Sequence, residues 1–383
     1  MSLIPPSSTL KVLSLAKELE RSGKKVVHME VGEPDLDTPA HIKEAAKEAL
    51  ARGMTKYTPS VGMPELREAI AESLAKKKIA AAAKNVIVTP GAKHAIFCGL
   101  AAAIDPGDEV IIPSPCWTYE AMVKIVGGKP VFVKTSSENG FKLGFNRVQE
   151  SLTPKTKMIL LNYPNNPTGA VMDQKTLHPI VDIAIDNNLW VISDEIYDPL
   201  VYEGEQVSPM TFPGMPERTI YVNGFSKAYA MTGWRLWYAV APADMIVEMS
   251  KIQEASTSCV AGFVQAAGIA ALRGPQNFVS EMREEYRRRR DKIVNWLNSI
   301  DGIECPKPDG AFYVFPSIKK LGVPSLKFCE ELLREKFVAT VPGSGFGPYG
   351  EGHFRLSYAT SLDNIKIAVD LIHDFVEKSQ AGR

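Results

Sequence analysis

The sequence predicts an α/β fold with a mostly parallel, seven-stranded sheet and a smaller α+β domain beside it. Short apolar runs alternate with helical patterns from about residue 85 to about residue 241, which is typical of βαβ units. Turns rich in proline, glycine and asparagine separate these strands and helices. The candidate strands are 86–89, 109–112, 131–134, 157–161, 189–193, 219–222 and 236–241.

Length and composition fit an ordinary two-domain globular protein. The chain has 383 residues, of which 45% are hydrophobic and 23% are charged, so it can bury a large core. Its formal net charge of +0 gives no general attraction to nucleic acid or to an anionic membrane, and we expect neither partner. No signal peptide and no apolar run of bilayer length is evident, which favours a cytoplasmic protein.

The cysteines and the basic residues point away from other classes of protein. The five cysteines are odd in number, scattered and without a C-x-x-C pair, which predicts reduced thiols in a cytoplasm and no metal site. The arginine run 287–290 has acidic residues around it at helical spacing. We therefore expect a solvated, salt-bridged helix face there rather than a nucleic-acid patch.

The domains are predicted to be discontinuous in sequence. Residues 42–275 would form the large domain with the sheet, and residues 1–41 together with 276–383 would form the small α+β domain. A helix over about 277–299 would connect them, since it follows a Gly-Pro turn. Closure of one domain on the other would shield a bound substrate.

The segment 226–235, SKAYAMTGWR, is the most informative part of the chain. It follows the apolar run 219–222, so Lys227 lies at the end of a buried strand. Burial disfavours the charged form of a lysine and makes its amine a nucleophile that can form a Schiff base with pyridoxal phosphate (PLP). Arg235 could hold the phosphate. A surface lysine and a structural arginine remain the alternative at this point.

Four other segments carry candidate site residues, and each also has a purely structural interpretation. The turns at 162–169 and 89–93 could be plain strand ends, Asp194 could be a helix cap, and Arg355 could be a charge on an edge strand. The four segments are NYPNNPTG at 162–169, SDEIY at 193–197, TPGAK at 89–93 and HFRLSY at 353–358.

The position of these residues decides between the two interpretations. In open α/β sheets, ligands bind outside the carboxyl ends of the strands. Independent structural roles would not place so many candidate residues there. The residues just past a strand's carboxyl end are Gly91, Ala92, Lys93, Asn166, Asp194, Tyr197, Ser226 and Lys227.

From about residue 30 to residue 375 the chain resembles the class I/II, fold-type I PLP-dependent aminotransferases, and it is most similar to the bacterial and archaeal aspartate aminotransferase branch. The resemblance implies a fold-type I α/β architecture, PLP as cofactor, and an L-amino acid and a 2-oxo acid as substrates. The matching phrases are VGEPD at 31–35, KY at 56–57, GMPELR at 62–67, NNPTG at 165–169, SDEIY at 193–197 and MTGWR at 231–235.

The resemblance implies a catalytic role for three side chains and a role in cofactor binding for a fourth. Lys227 would carry PLP as an aldimine and then move a proton between the substrate and the cofactor in a ping-pong reaction. Asp194 would pair with the protonated ring nitrogen. Asn166 and Tyr197 would hydrogen-bond the phenolic oxygen, which stabilises its anion.

The remaining implied roles concern the phosphate, the ring, the second subunit and the substrate. Residues Gly91, Ala92 and Lys93, with Ser226 and Arg235, would bind phosphate. Trp117 would stack on the ring, unless it is a core residue. Tyr57 would reach the phosphate of the neighbouring subunit, which implies a homodimer with shared active sites. The substrate side would be formed by Gly32, Lys93, Trp117, Asn166 and Arg355, with the Gly32 amide and Arg355 on the α-carboxylate.

Substrate choice depends mainly on Lys93. In the similar aspartate aminotransferases a lysine at this position engages the distal carboxylate, which favours aspartate; here it could instead face solvent or phosphate. An aromatic or broad-range aminotransferase and a PLP-dependent carbon–sulfur lyase stay open as alternatives. The chain departs from the family pattern at the hydroxyl residues 7–9, whose register is shifted, and at Gly224, where many relatives have serine or threonine.

Overall fold

The computed structural model describes the backbone of residues 8–381 and the side chains of residues 11–380. Its α-helices are α1 Ser8–Arg21, α2 Ala40–Ala51, α3 Pro64–Ala75, α4 Ala92–Ala103, α5 Tyr119–Ile125, α6 Phe145–Ser151, α7 Gln174–Asp186, α8 Ala243–Ser256, α9 Gly262–Arg273, α10 Asn277–Leu297, α11 Ser325–Lys336 and α12 Leu362–Ala381. Its strands are β1 Val27–His28, β2 Val86–Thr89, β3 Glu109–Ser114, β4 Lys129–Lys134, β5 Thr156–Asn162, β6 Trp190–Asp194, β7 Thr219–Gly224, β8 Trp237–Val240, β9 Tyr313–Val314, β10 Val338–Ala339, β11 Val341–Pro342 and β12 Phe354–Ser357.

A seven-stranded sheet in the order β2-β8-β7-β6-β5-β3-β4 forms the centre of the fold. Neighbouring strands are parallel except at β8, which runs antiparallel to both β2 and β7. The predicted α/β fold with a mostly parallel seven-stranded sheet is confirmed. The predicted strand bounds differ from the observed ones by at most two residues.

The strands are buried because helices cover both faces of the sheet. Alternate residues of a strand point to opposite faces, so Ile87 packs in one hydrophobic cluster while Val86 and Val88 pack in another. Local signals set the helix ends: Asp173 precedes α7, and its carboxylate accepts a hydrogen bond from the Thr176 amide at 2.8 Å. The sheet is therefore a rigid frame whose strand ends can position side chains.

The second group of elements contains α10 to α12 and two small sheets. Strands β11, β12 and β9 form an antiparallel sheet, and β1 pairs with β10 in a two-stranded parallel one. The connecting helix α10 begins at the predicted residue and ends two residues before the predicted end. The proposed domain boundaries at residues 41/42 and 275/276 stay a prediction.

The arginine run 287–290 differs in part from its prediction. Arg287 and Arg288 are exposed and paired with glutamates one turn earlier, as expected. Arg289 and Arg290 are instead buried, because they turn toward the protein and pair with Asp35 and Glu203. The prediction of a wholly solvated face was wrong for these two, since helical spacing alone does not say which side of a helix packs.

Within residues 8–381, no helix combines the length and the apolar character that crossing a bilayer requires. The cytoplasmic location stays a prediction.

Candidate active site

A cavity of about 430 Å³ lies at the carboxyl ends of the central strands. Two of the predicted residues, Gly91 and Tyr57, are not part of its lining. Gly91 lies against the guanidinium of Arg235. The side chain of Tyr57 is 90% exposed on the surface. The predicted residues that line the cavity are Gly32, Ala92, Lys93, Trp117, Asn166, Asp194, Tyr197, Ser226, Lys227, Arg235 and Arg355.

Lys227 lies three residues past β7 and its amine is buried in the cavity. Its Nζ donates a hydrogen bond to the Gly32 carbonyl at 2.5 Å and lies 5.8 Å from the centre of the Tyr197 ring. Burial lowers the pKa of Lys227 to about 8, and the positive charges of Arg355 and Arg235 act in the same direction. The lowered pKa increases the neutral, nucleophilic fraction of this amine near neutral pH.

Asp194 ends β6 and faces the same cavity. Burial raises the pKa of its carboxyl to about 6, while a hydrogen bond from the Tyr119 hydroxyl to Oδ2 at 2.8 Å opposes this shift. Tyr119, which the sequence analysis did not identify, lies two residues after Trp117 at the start of α5. A buried carboxylate held in this way can balance a positive charge placed opposite it.

Asn166 and Tyr197 are each held by a hydrogen bond to another residue of the cavity. The Asn166 amide donates to Asn162 Oδ1 at 3.0 Å, which fixes the turn after β5. The Tyr197 hydroxyl shares a hydrogen bond with the hydroxyl of Tyr313 at 2.8 Å, and burial raises the pKa of Tyr197 well above its usual value. Asn162 and Tyr313 also line the cavity and were not predicted as site residues, although Asn162 begins the segment 162–169 that the sequence marks as a candidate.

Arg355 lies on β12 with its guanidinium fully buried at the cavity wall. Its Nη1 donates to Asn166 Oδ1 at 2.9 Å and its Nη2 donates to the Glu30 carbonyl at 2.6 Å. Its Nε has no hydrogen-bond partner among the described residues. Burial lowers the pKa of Arg355, although an arginine stays charged. A buried cation with an unused donor is suited to binding a carboxylate.

The other end of the cavity is suited to a phosphate. Gly91 has φ +122° and precedes α4, so the first amides of that helix, those of Ala92 and Lys93, are available to an anion. A Cβ at Gly91 would lie 2.3 Å from Arg235 Nη2, and only glycine allows this approach. Ser226 Oγ accepts from Trp237 Nε1 at 2.7 Å, so Trp237 is a further cavity residue that was missed.

Trp237 also explains why the chain departs from the family pattern at Gly224. A Cβ at Gly224 would lie 2.7 Å from the indole of Trp237 and 3.0 Å from its Cα. A serine or threonine therefore does not fit at position 224. Ser226 supplies the hydroxyl at this end of the cavity instead.

Lys93 and Arg355 both lie close to the ring of Trp117. The Lys93 Nζ is 5.4 Å from the centre of the Trp117 ring, and the Arg355 Cζ is 5.7 Å from it. Burial and the nearby Arg235 lower the pKa of Lys93. Lys93 thus lines the cavity while its side chain stays exposed to solvent, within electrostatic reach of the phosphate end and of the Trp117 ring.

The N-terminal segment reaches the cavity through α1, whose Leu13 is part of the lining. Ser7 and the side chains of Ser8 and Thr9, which we considered as a hydroxyl segment over the site, lie outside the described residues.

Comparisons with known proteins agree with this geometry. The aspartate aminotransferase of Rhizobium meliloti is 43% identical, with 97% of this chain and 94% of that protein aligned. The aromatic-amino-acid aminotransferase 2 of Thermococcus litoralis is 42% identical over 99% and 98% of the two chains. The structure of Thermus thermophilus aspartate aminotransferase with maleate superimposes with a TM-score of 0.93 at 43% identity, covering 97% of each chain.

The profile of the family described as aminotransferase class I and II matches residues 24–372. This match spans most of the chain and includes every residue that lines the cavity except Leu13. The chain belongs to the class I and II aminotransferase family.

Proposed function

We propose that this aminotransferase uses PLP to transfer an amino group between an L-amino acid with two carboxylates, aspartate above all, and a 2-oxo acid such as 2-oxoglutarate. The observation that carries the substrate class is that Lys93 Nζ and Arg355 Cζ both lie close to the Trp117 ring, 5.4 Å and 5.7 Å from its centre. Arg355 is buried and Lys93 is exposed, and two cations near one ring can hold both ends of a dicarboxylate. The name of the Rhizobium meliloti relative supports the same substrate.

The residues around the cavity fit the cofactor. Lys227 has a buried amine of lowered pKa, Asp194 faces it with a buried carboxylate, and Gly91 with Arg235 forms an anion cradle that a side chain at position 91 would fill. PLP, when bound, supplies an electron-accepting ring that makes the α-proton of an attached amino acid acidic. We therefore assign the ring to Asp194 and Trp117, and the phosphate to the end formed by residues 91–93, Ser226 and Arg235.

Different residues of the chain would then bind the substrate, move the proton and stabilise the charges on the cofactor. Arg355 binds and orients the α-carboxylate, and Lys227 Nζ takes the proton from the substrate α-carbon. Asp194, steadied by Tyr119, keeps a positive charge on the ring nitrogen, while Asn166 and Tyr197 hydrogen-bond the phenolic oxygen. We propose two half-reactions, so that the first oxo acid leaves before the second substrate enters.

Replacing Lys93 with alanine tests the substrate assignment. We expect kcat/KM for aspartate and glutamate to fall roughly 10- to 100-fold, because a charge-assisted hydrogen bond to the distal carboxylate is lost. Half-reactions with alanine and phenylalanine should change little. Single-turnover absorbance measurements on the PLP-loaded protein follow each donor separately.

A matched control is Lys84→Ala, which removes an exposed lysine and should leave all donors unchanged. An equal loss for aspartate and phenylalanine in Lys93→Ala would assign Lys93 to the phosphate or to the fold. The dicarboxylate proposal would then lose its main support.

A second candidate is an aromatic aminotransferase. Trp117 lines the cavity and packs near the buried ring of Phe346, with ring centres 6.3 Å apart, and the Thermococcus litoralis relative is named for aromatic substrates. A panel of amino donors with 2-oxoglutarate distinguishes the two. A higher kcat/KM for phenylalanine or tyrosine than for aspartate would favour the aromatic enzyme.

We also propose a homodimer in which Tyr57 serves the neighbouring subunit's site. The side chain is 90% exposed and does not line the cavity of its own chain, as expected of a residue that completes a partner's site. Mixing inactive Tyr57→Ala and Lys227→Ala proteins should restore up to about a quarter of wild-type activity, since half of the dimers are hybrids with one intact site.

The control pair for this experiment is Asp194→Ala mixed with Lys227→Ala. Both changes affect a subunit's own site, so no hybrid site is intact and no activity should return. A fully active monomer in light scattering would contradict the shared site.

A further inference from the structure

Hydrogen bonds connect helix α1 to the cavity through four charged residues of alternating sign, which are Glu20, His28, Glu30 and Arg355. His28 Nε2 lies 3.0 Å from Glu20 Oε1, and His28 Nδ1 lies 2.7 Å from Glu30 Oε1. The Glu30 carbonyl then accepts from Arg355 Nη2 at 2.6 Å. Three separate elements, α1, β1 and β12, thus meet through these contacts.

His28 is held as the charged imidazolium. Each of its two ring nitrogens faces a carboxylate oxygen, and both nitrogens can donate only in the protonated form. The hydrogen bond to Glu30 is the largest cause that raises the pKa of His28 to about 9. The charge is therefore present at neutral pH and is lost only as the pH rises through about 9. Strand β10 pairs with β1 and places Val338 opposite Val27 and Ala339 opposite His28, so these two residues add no charge beside His28.

Glu30 brings a negative charge to the site where a substrate carboxylate would bind. The residue is 2% exposed and lines the cavity, and its Oε2 has no hydrogen-bond partner among the described residues. Its charge also acts on the guanidinium of Arg355. A substrate carboxylate that binds Arg355 is repelled by the Glu30 carboxylate. This repulsion is strong because the buried site has a low dielectric constant and solvent screens the charges little.

We infer that His28 and Glu30 are positioning residues that set how strongly Arg355 binds the α-carboxylate of the substrate. Glu30 fixes the guanidinium through its carbonyl, and its carboxylate weakens the site's attraction for an anion. The imidazolium of His28 offsets that carboxylate and so restores the attraction. This inference rests on the proposed role of Arg355 in the function above.

The test compares His28→Asn, Glu30→Gln and the double variant in the PLP-loaded enzyme at pH 8. Single-turnover half-reactions with aspartate and with alanine give an apparent dissociation constant and a rate constant for each donor. His28→Asn should weaken both donors roughly tenfold with little change in the rate constant, because an uncompensated negative charge remains beside Arg355. Glu30→Gln should bind both donors at least as tightly as the wild type.

The double variant distinguishes this electrostatic role from a structural one. If His28 acts by offsetting Glu30, then removing the Glu30 charge should rescue the affinity lost in His28→Asn to within about threefold of the wild type. A purely structural contact predicts no rescue, since the double variant lacks the same bond. His373→Asn removes a half-exposed histidine that also faces a glutamate, and it should leave both donors unchanged.

Wild-type affinity in His28→Asn, or a double variant no better than His28→Asn, would overturn the inference. If His28→Asn does not fold, Glu30→Gln alone decides, and weaker donor binding in that variant contradicts the inference. Arg355→Ala separates this result from the proposed function. If Arg355→Ala keeps wild-type affinity for both donors, the carboxylate site itself is wrongly assigned.

Discussion

Replacing Lys227 with alanine is expected to reduce transamination by at least about 10⁴-fold. The amine of Lys227 is a buried nucleophile and base three residues past β7, with a pKa lowered to about 8. Its loss removes both the covalent attachment of the cofactor and the group that moves the α-proton. Steady-state turnover of aspartate with 2-oxoglutarate measures the effect.

The visible absorbance of the cofactor gives an independent reading for Lys227→Ala. The wild-type protein should carry a visible band from PLP attached to the chain, and the variant should lose that band. Thermal unfolding of the cofactor-free proteins controls for folding. Wild-type turnover in this variant would show that another group holds the cofactor and moves the proton.

Replacing Asp194 with alanine is expected to lower kcat by at least about 10²-fold. The change removes the buried carboxylate that faces the cavity, and losing an ionic partner in a dry site costs several kcal/mol of transition-state stabilisation. Bound PLP should remain, because the phosphate end formed by Gly91 and Arg235 is untouched. Turnover and the spectrum of the bound cofactor measure the two effects separately.

Two further variants show whether charge or shape matters at position 194. Asp194→Asn keeps the size of the side chain and should lose nearly as much activity as Asp194→Ala. Tyr119→Phe removes only the 2.8 Å hydrogen bond to Oδ2 and should cost less. If Asp194→Ala stayed within a few-fold of the wild type, the ring nitrogen would have a different partner.

The strand ends of the central sheet were predictable because their signals are local. Apolar runs mark β5, β6 and β7, and the turn residues that follow them lie within a few positions in sequence. Parallel strands bring their carboxyl ends to one edge of the sheet. This rule is sufficient to place Asn166, Asp194 and Lys227 together in one cavity without any knowledge of side-chain packing.

The partners of these residues were not predictable, because they come from distant parts of the chain. Tyr119 is 75 residues from Asp194, and Tyr313 is 116 residues from Tyr197. A tyrosine has the same local sequence signature whether its hydroxyl reaches a carboxylate or another tyrosine. Only the packing of α5 and β9 against the strand ends selects the partner.

The sequence by itself therefore determined the mostly parallel sheet and the set of chemical groups at the ends of its strands. The tertiary structure decided which of those groups are buried, what each one contacts and what charge surrounds it. Glu30 and Arg355 are 325 residues apart, yet they meet at 2.6 Å. Burial and electrostatic fields depend on all neighbours in space, whereas a sequence pattern reports only the neighbours along the chain.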